Sequence, residues 1–251
     1  HYIPKINLNN KKETYLVISS KLIPEISSLN FHTGFNFKNK NYIIKSSGYY
    51  RSQKNLFQNL DIYSINKLEK SLPDSNLFSK GNSKSTGIET LIRKKNGYLT
   101  GWVSYHFNQT ILNFPDLNNG LNFFSDHDKT HEFKFVLFTK FKSLNLTSTW
   151  VFSSGRVYTD SENIFINPGY QIFISDKKNE KRLPPIHHLD ISLSKKWNLK
   201  KVFIQTGISI YNLYNKKNIS HKQYNPYFNQ LKTQDIAMFG ITPTGFIKIG
   251  F

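Results

Sequence analysis

The chain has 251 residues, with 34 Lys and Arg against 16 Asp and Glu, a formal charge of +18, 15% aromatic residues and no cysteine. This excludes disulfides, thiol catalysis and cysteine-based metal centres, and no run approaches the ~18 consecutive apolar residues of a membrane-crossing helix. The length allows one large all-β unit or two small domains, and 21 Phe with 14 Tyr suit aromatic girdles better than a thick aliphatic core.

Residues 1–25 are poorly periodic apart from an apolar patch at 15–18 and are expected to be an irregular lead-in. The stretch 29–37 then alternates, with Leu29, Phe31, Thr33, Phe35 and Phe37 opposed to Asn30, His32, Gly34 and Asn36. Period two is the signature of a strand with one apolar and one polar face. After a polar turn at 38–41 the alternation resumes over 42–51, with Ile43, Lys45, Ser47, Tyr49 and Arg51 on one face, so the pair reads as a hairpin.

Residues 55–85 are polar and irregular, with a turn signal at Pro73-Asp74-Ser75-Asn76, and are expected to be a long loop. Strands over 87–94 and 98–108 flank Lys95-Asn96-Gly97, a tight-turn signal because Asn and Gly accept positive φ. In the second of them Trp102 stands on the otherwise polar side with Thr100, Ser104 and His106. A second long loop over 109–129 leads to a strand at 131–141, a short turn around Lys142-Ser143 and a return strand at 144–154. A third, over 155–185, precedes strands at 188–197 and 202–211, which flank a turn near 198–200. A fourth loop, 212–233, leads to the closing stretch 244–251, where Ile247, Ile249 and Phe251 alternate with Phe246, Lys248 and Gly250.

The resulting rhythm is strand, short turn, strand, long loop, four times over, then a last strand. A soluble sandwich has no reason to place every long connection at one end. An outer-membrane barrel does, with long loops outside and short turns inside. The expected fold is therefore all-β, an antiparallel transmembrane up-and-down barrel spanning 26–251. Nine strands are odd, whereas single-chain bacterial barrels are even, so further amino-terminal strands are expected. The cations are spread along turns and loops rather than gathered in one patch, which disfavours nucleic acid as a partner. Attraction to anionic lipid head groups is the better reading of the charge.

Several stretches resemble TonB-dependent outer-membrane receptors, especially those of Bacteroidetes. They are Gly87-Ile88-Glu89 with Lys95-Asn96-Gly97-Tyr98-Leu99-Thr100-Gly101-Trp102-Val103-Ser104-Tyr105, and Asp126-His127-Asp128-Lys129-Thr130-His131. Ser153-Ser154-Gly155-Arg156-Val157-Tyr158 and Arg182-Leu183-Pro184-Pro185-Ile186-His187-His188-Leu189-Asp190 add to these. Tyr211-Asn212-Leu213-Tyr214-Asn215 with Asn218, and Pro243 through Phe251, complete the set in family order from about residue 25 to the end. The resemblance implies the carboxy-terminal part of a barrel of the 22-stranded type, without a counterpart of the plug domain. It implies uptake of a scarce or bulky solute such as an iron chelate, oligosaccharide or peptide, with no enzymatic step and no cofactor. The alternative is a structural barrel subunit without active uptake. Implied partners are outer-membrane lipid, the TonB-ExbB-ExbD complex through the missing amino-terminal region, the outer-membrane assembly machinery and a surface lipoprotein, with no nucleic acid. Phe251 resembles the terminal aromatic read as the barrel assembly signal. Substrate-contacting residues are not identified.

Three constellations carry residue types suited to chemistry. Asp126, His127, Asp128 and His131 carry metal-ligand types, but such a cluster in a polar loop is ordinarily solvated. His187-His188 with Asp190 reads as a strand entry holding a hydrogen-bonded pair rather than a catalytic dyad. Glu89, Glu132, Asp190 and Lys134 on polar faces read as mutual charge balance in a wet interior. Tyr98, Trp150 and Trp197 near strand ends are expected to be interface anchors. No nucleophile context or paired catalytic carboxylates are found.

Overall fold

The computed structural model describes residues 2–6, 13–17, 25–59, 78–160, 163–167, 170–174, 177–199, 202–224 and 233–251, with side chains given from residue 25 onward except at 59–78, 161–176, 200–201 and 224–233. The turn expected at 73–76 lies outside the described residues. Within the lead-in, β1 (Tyr2–Ile6) and β2 (Glu13–Val17) form a separate antiparallel hairpin. A single antiparallel meander follows: β3 (Ser27–Lys38), β4 (Tyr42–Asn59), β5 (Phe78–Lys94) and β6 (Leu99–Asn113), with the short β7 (Phe123–Phe124) paired to β6. It continues through β8 (His131–Phe141) and β9 (Leu144–Ser153). Between β9 and the next long strand come β10 (Val157–Tyr158), β11 (Asn163–Asn167), β12 (Tyr170–Ile174) and β13 (Lys181–Arg182), which pair as β10 with β13 and β11 with β12. The meander is completed by β14 (Ile186–Leu199), β15 (Val202–Tyr211) and β18 (Thr242–Gly250), with β16 (Ile219–Tyr224) and β17 (Thr233–Ala237) forming a hairpin inside the last long connection.

All nine strands of the meander sit where alternation places them. Three run well into expected loops. β6 continues to Asn113, β4 continues to Asn59 and β5 begins at Phe78, so residues 109–113, 55–59 and 78–85 are strand rather than loop. The signal there is small residues instead of apolar ones: Ser79, Gly81, Ser83 and Ser85 are buried while Lys80, Asn82 and Lys84 are exposed. A bulge between Gln53 and Leu56, with Asn55 at φ 61°, resets the register.

Register fixes the faces. Phe107, Tyr105 and Val103 of β6 stand beside His131, Phe133 and Phe135 of β8, which stand beside Phe152 and Trp150 of β9. The row continues through Leu189, Ile191 and Leu193 to Ile210 and Ile208, and Ile204 meets Ile249. On the other side Ile88 and Ile92 of β5 lead to Ile44 and Phe37. One face of the sheet is thus apolar from β3 to β18. It is uncovered: Phe31 is 61% exposed, Phe135 40% and Ile208 59%. Among the described residues the sheet is open, with β3 and β18 at its two edges.

Apolar burial lies elsewhere. Phe114, Leu117 and Phe123 form a cluster with Leu56 and Leu112. This cluster sits at the long-connection end, where the β6–β8 link folds back so that the Phe114 ring lies on Gly81, a position with no room for a Cβ. Ser79 donates to Asp116 at 2.7 Å and Thr110 to Ser85 at 2.9 Å, satisfying hydroxyls that the cluster buries. At the opposite end the turns are tied to each other: Lys95 N–H donates to Asn41 O at 2.8 Å and Lys196 N–H to Ser143 O at 3.1 Å. Trp102, the apolar exception on the polar face, has company there, since its register partner Val136 is buried.

Candidate functional site on the polar face

Three strands bring Glu89, His106 and Glu132 into one row. Glu89 pairs with His106 across β5–β6, and His106 with Glu132 across β6–β8. Directly paired residues share a face and stand about 5 Å apart, so the imidazole falls between two carboxyls. His106 Nε2 lies 3.4 Å from Glu89 and Nδ1 lies 3.7 Å from Glu132. Nε2 is nevertheless buried without a hydrogen bond among the described residues, because Glu89 stands off the N–H line. Lys129 approaches Glu132 at 3.6 Å, and Ser153 donates to Glu132 at 3.5 Å.

His106 lines three adjoining hollows. One of about 470 Å³ runs toward Tyr49, Arg51 and Asn108. One of about 350 Å³ runs toward His127, Lys129 and Arg156. The third, about 580 Å³, extends past Glu89 to Asn36 and Lys45. Tyr49 donates to Asn108 at 2.9 Å, and its ring lies over Gly87 opposite, where a Cβ would collide. The result is a wide polar groove with carboxylates, an imidazole, amides and guanidinium groups. Such a set offers several exchangeable polar contacts; among the described residues no hydroxyl is hydrogen-bonded to His106 as a nucleophile would be.

The loops above the groove are locked by buried charge. Asp128, almost fully buried, accepts from Arg182 Nη2 at 2.7 Å and from Thr130 at 2.8 Å, and Arg182 Nη1 donates to Gly155 O at 2.7 Å. Lys178, also buried, lies 3.3 Å from Asp126, which accepts from Asn179 at 2.6 Å. Asn118 joins the two loops again, donating to Lys178 O and accepting from Lys178 N–H. This ledge holds Arg156 over the groove, with Nη2 at 3.2 Å from His127.

The constellations read from sequence are therefore rearranged. Glu89 and Glu132 do share a site, but Asp190 does not join it: it accepts from the Asn212 N–H at 2.9 Å and holds His188 at 2.9 Å, the bonded pair expected at this strand entry. Among the described residues no ion pair ties Lys134 to the row. Asp126, His127, Asp128 and His131 do not converge, and no cluster of three or more metal-ligating side chains occurs among the described residues. Asp128 is buried in an ion pair rather than solvated, because Arg182 arrives from a loop 54 positions away. His131 is on the apolar face, bonded to Tyr105 Oη at 2.9 Å. His187, likewise on the apolar face, bonds Tyr214 at 2.7 Å. His106, central to the groove, lies in no motif, and Arg156 is marked only as part of the Ser153–Tyr158 stretch, with no role at a site. The Lys95-Asn96-Gly97 turn alone would have aligned His106 with Glu89; its approach to Glu132 spans a long link and is not readable.

No family model matches the chain, and no curated protein matches it.

Proposed function

We propose that this nine-stranded sheet is the carboxy-terminal part of an outer-membrane β-barrel of the TonB-dependent receptor kind, with its apolar face on lipid and its polar face on the lumen. It takes up a scarce or bulky polar solute by binding and release, without a covalent step. The observation that carries the reading is the apolar face: continuous across nine strands of roughly membrane-spanning length, and left uncovered. Two further features support it. Aromatic residues gather near both ends of that face, with Phe133, Trp150 and Phe152 in ring contact toward the long connections and Trp197 and Phe141 exposed toward the short turns. The long connections also leave from one end, and the described parts of those between β6 and β8 and between β9 and β14 fold into a ledge beside the polar groove. In this reading the barrel closes when the β3 and β18 edges gain strands from outside the described sheet, since an unpaired edge is untenable in hydrocarbon. The groove around His106 supplies lumen contacts for the solute.

The test is fractionation after expression behind an export signal in a Gram-negative host. The protein should float with the outer membrane, resist carbonate extraction and be cut from outside only within the long connections. Recovery as a soluble periplasmic protein without detergent would refute the reading.

A further inference from the structure

The lysines, dispersed along the sequence, are gathered by the fold, which corrects the expectation that they form no patch. The pairs β3–β4, β5–β6, β8–β9 and β14–β15 each turn back over a short connection, and these four connections come together at one end of the meander. The first turn carries Lys38 and Lys40, and the second Arg93, Lys94 and Lys95. The third carries Lys140 and Lys142, and the fourth Lys195 and Lys196. The segments 33–46, 90–102, 133–148 and 193–206 around them contain no Asp or Glu. Every ion pair among the described residues that joins Lys or Arg to a carboxylate involves Lys129, Lys177, Lys178, Lys181, Arg182 or Lys222, none of them in this rim. Rim cations meet aromatic rings instead: Lys142 lies over Phe141 at 5.6 Å, Lys195 over Trp197 at 5.3 Å and Lys196 over Phe203 at 4.1 Å. Around them Tyr98 is 89% exposed, and Phe37, Leu144 and Leu199 are exposed as well.

We infer that this rim is a docking surface for the anionic phospholipid head groups of a bilayer leaflet. A collar of exposed aromatic residues under a ring of cations without counter-charges matches the head-group boundary, where rings sit at the interface and lysines reach the phosphates. By register Lys94 and Lys195 occupy the turn-proximal end of the apolar face itself, so their stems lie along apolar surface while their ammonium groups reach beyond it. Nucleic acid fits the charge but not the collar, which would be left in water. The inference rests on the membrane reading above and adds which leaflet chemistry the short turns meet.

The test uses the whole protein with Trp102 and Trp150 replaced by Phe, leaving Trp197 as reporter at the rim. It is reconstituted into phosphatidylcholine vesicles containing a minority of phosphatidylglycerol, with bromine on the chains of one lipid or the other. Trp197 should be quenched more by brominated phosphatidylglycerol than its bulk fraction allows, an enrichment of about threefold or more given the attraction of each Lys to an anionic surface. Replacing Lys38, Lys40, Lys94, Lys140 and Lys142 by Gln should abolish the enrichment while heat-modifiable mobility reports an intact fold. Lys80→Gln with Lys84→Gln, toward the other end, should leave it unchanged. Equal quenching by both lipids in the unsubstituted rim would overturn the inference while leaving the membrane reading standing. Quenching by neither would defeat both. Tight binding of a single-stranded oligonucleotide at physiological salt, lost in the five-Gln variant and without lipid enrichment, would overturn it in favour of a nucleic-acid surface.

Discussion

The two ends of the meander solve opposite problems with the same residue types. At the long-connection end, charges are buried and answered: Asp128 is held by Arg182 and Thr130, and Lys178 by Asp126. There the loops fold over an apolar cluster. At the short-turn end, charges of one sign stand in the open beside exposed rings and, among the described residues, meet no carboxylate. The first end is therefore held by contacts within the chain. The second is built for contacts beyond it. Stability and surface function are separated along the strand axis, so substitutions at the two ends should differ in kind.

Phe114→Ala should have the largest effect. It empties a fully buried ring site at the centre of the only apolar cluster found among the described residues, and large-to-small changes of this kind cost about 3–5 kcal/mol. Urea unfolding should show that loss, and early proteolysis within 114–130 should accompany it. Next is Arg182→Met. It leaves Asp128 buried and unpaired, a defect of about 3 kcal/mol, and hydrogen exchange should rise in both the β6–β8 and β9–β14 connections. The matching change at the other end, Lys140→Met, should fall within about 0.5 kcal/mol, as exposed substitutions do. If the two substitutions cost the same, the proposed asymmetry of the ends is wrong.

The smallest effect belongs to the β16–β17 hairpin, outside the nine strands. Lys222 donates to Asp235, 3.1 Å away, and that hydrogen bond raises the lysine pKa above its ordinary 10.5. A cation whose pKa is raised on folding adds stability that is complete below the unfolded value and lost as pH climbs through the higher folded one. A double-mutant cycle of Lys222→Met and Asp235→Asn should give a coupling of about 0.5 kcal/mol near neutrality, fading well above 10.5. A coupling that grows with alkaline pH would contradict the assignment.

Much of this fold is legible in the sequence because a half-apolar strand must alternate. Leu29 to Phe37 and His131 to Phe141 show their two faces residue by residue. The end of β4 and the start of β5 are harder, since Ser79, Gly81, Ser83 and Ser85 alternate in size rather than polarity, and the Phe114 ring that lies on Gly81 comes from a distant connection. The short hairpins within the connections are too brief for a period to register. The groove was half readable: a tight turn fixes Glu89 opposite His106, whereas Glu132 arrives after a 17-residue link between β6 and β8. The Asp128–Arg182 pair was not readable at all, because it joins two long loops whose relative placement no local pattern encodes. The basic rim hid for the same reason: each turn contributes two or three cations, and only the meander collects them.

The account stands or falls on what touches the two faces of the same strands. Because the chain has no cysteine, spin labels can be placed singly by Phe135→Cys and Ser104→Cys, neighbouring positions on opposite faces of β8 and β6. In membranes, the label at 135 should relax with dissolved oxygen and ignore a water-soluble nickel chelate, while the label at 104 should respond to the chelate. Shielding of position 135 from both reagents would mean a second protein layer covers it, and the membrane barrel would have to be abandoned.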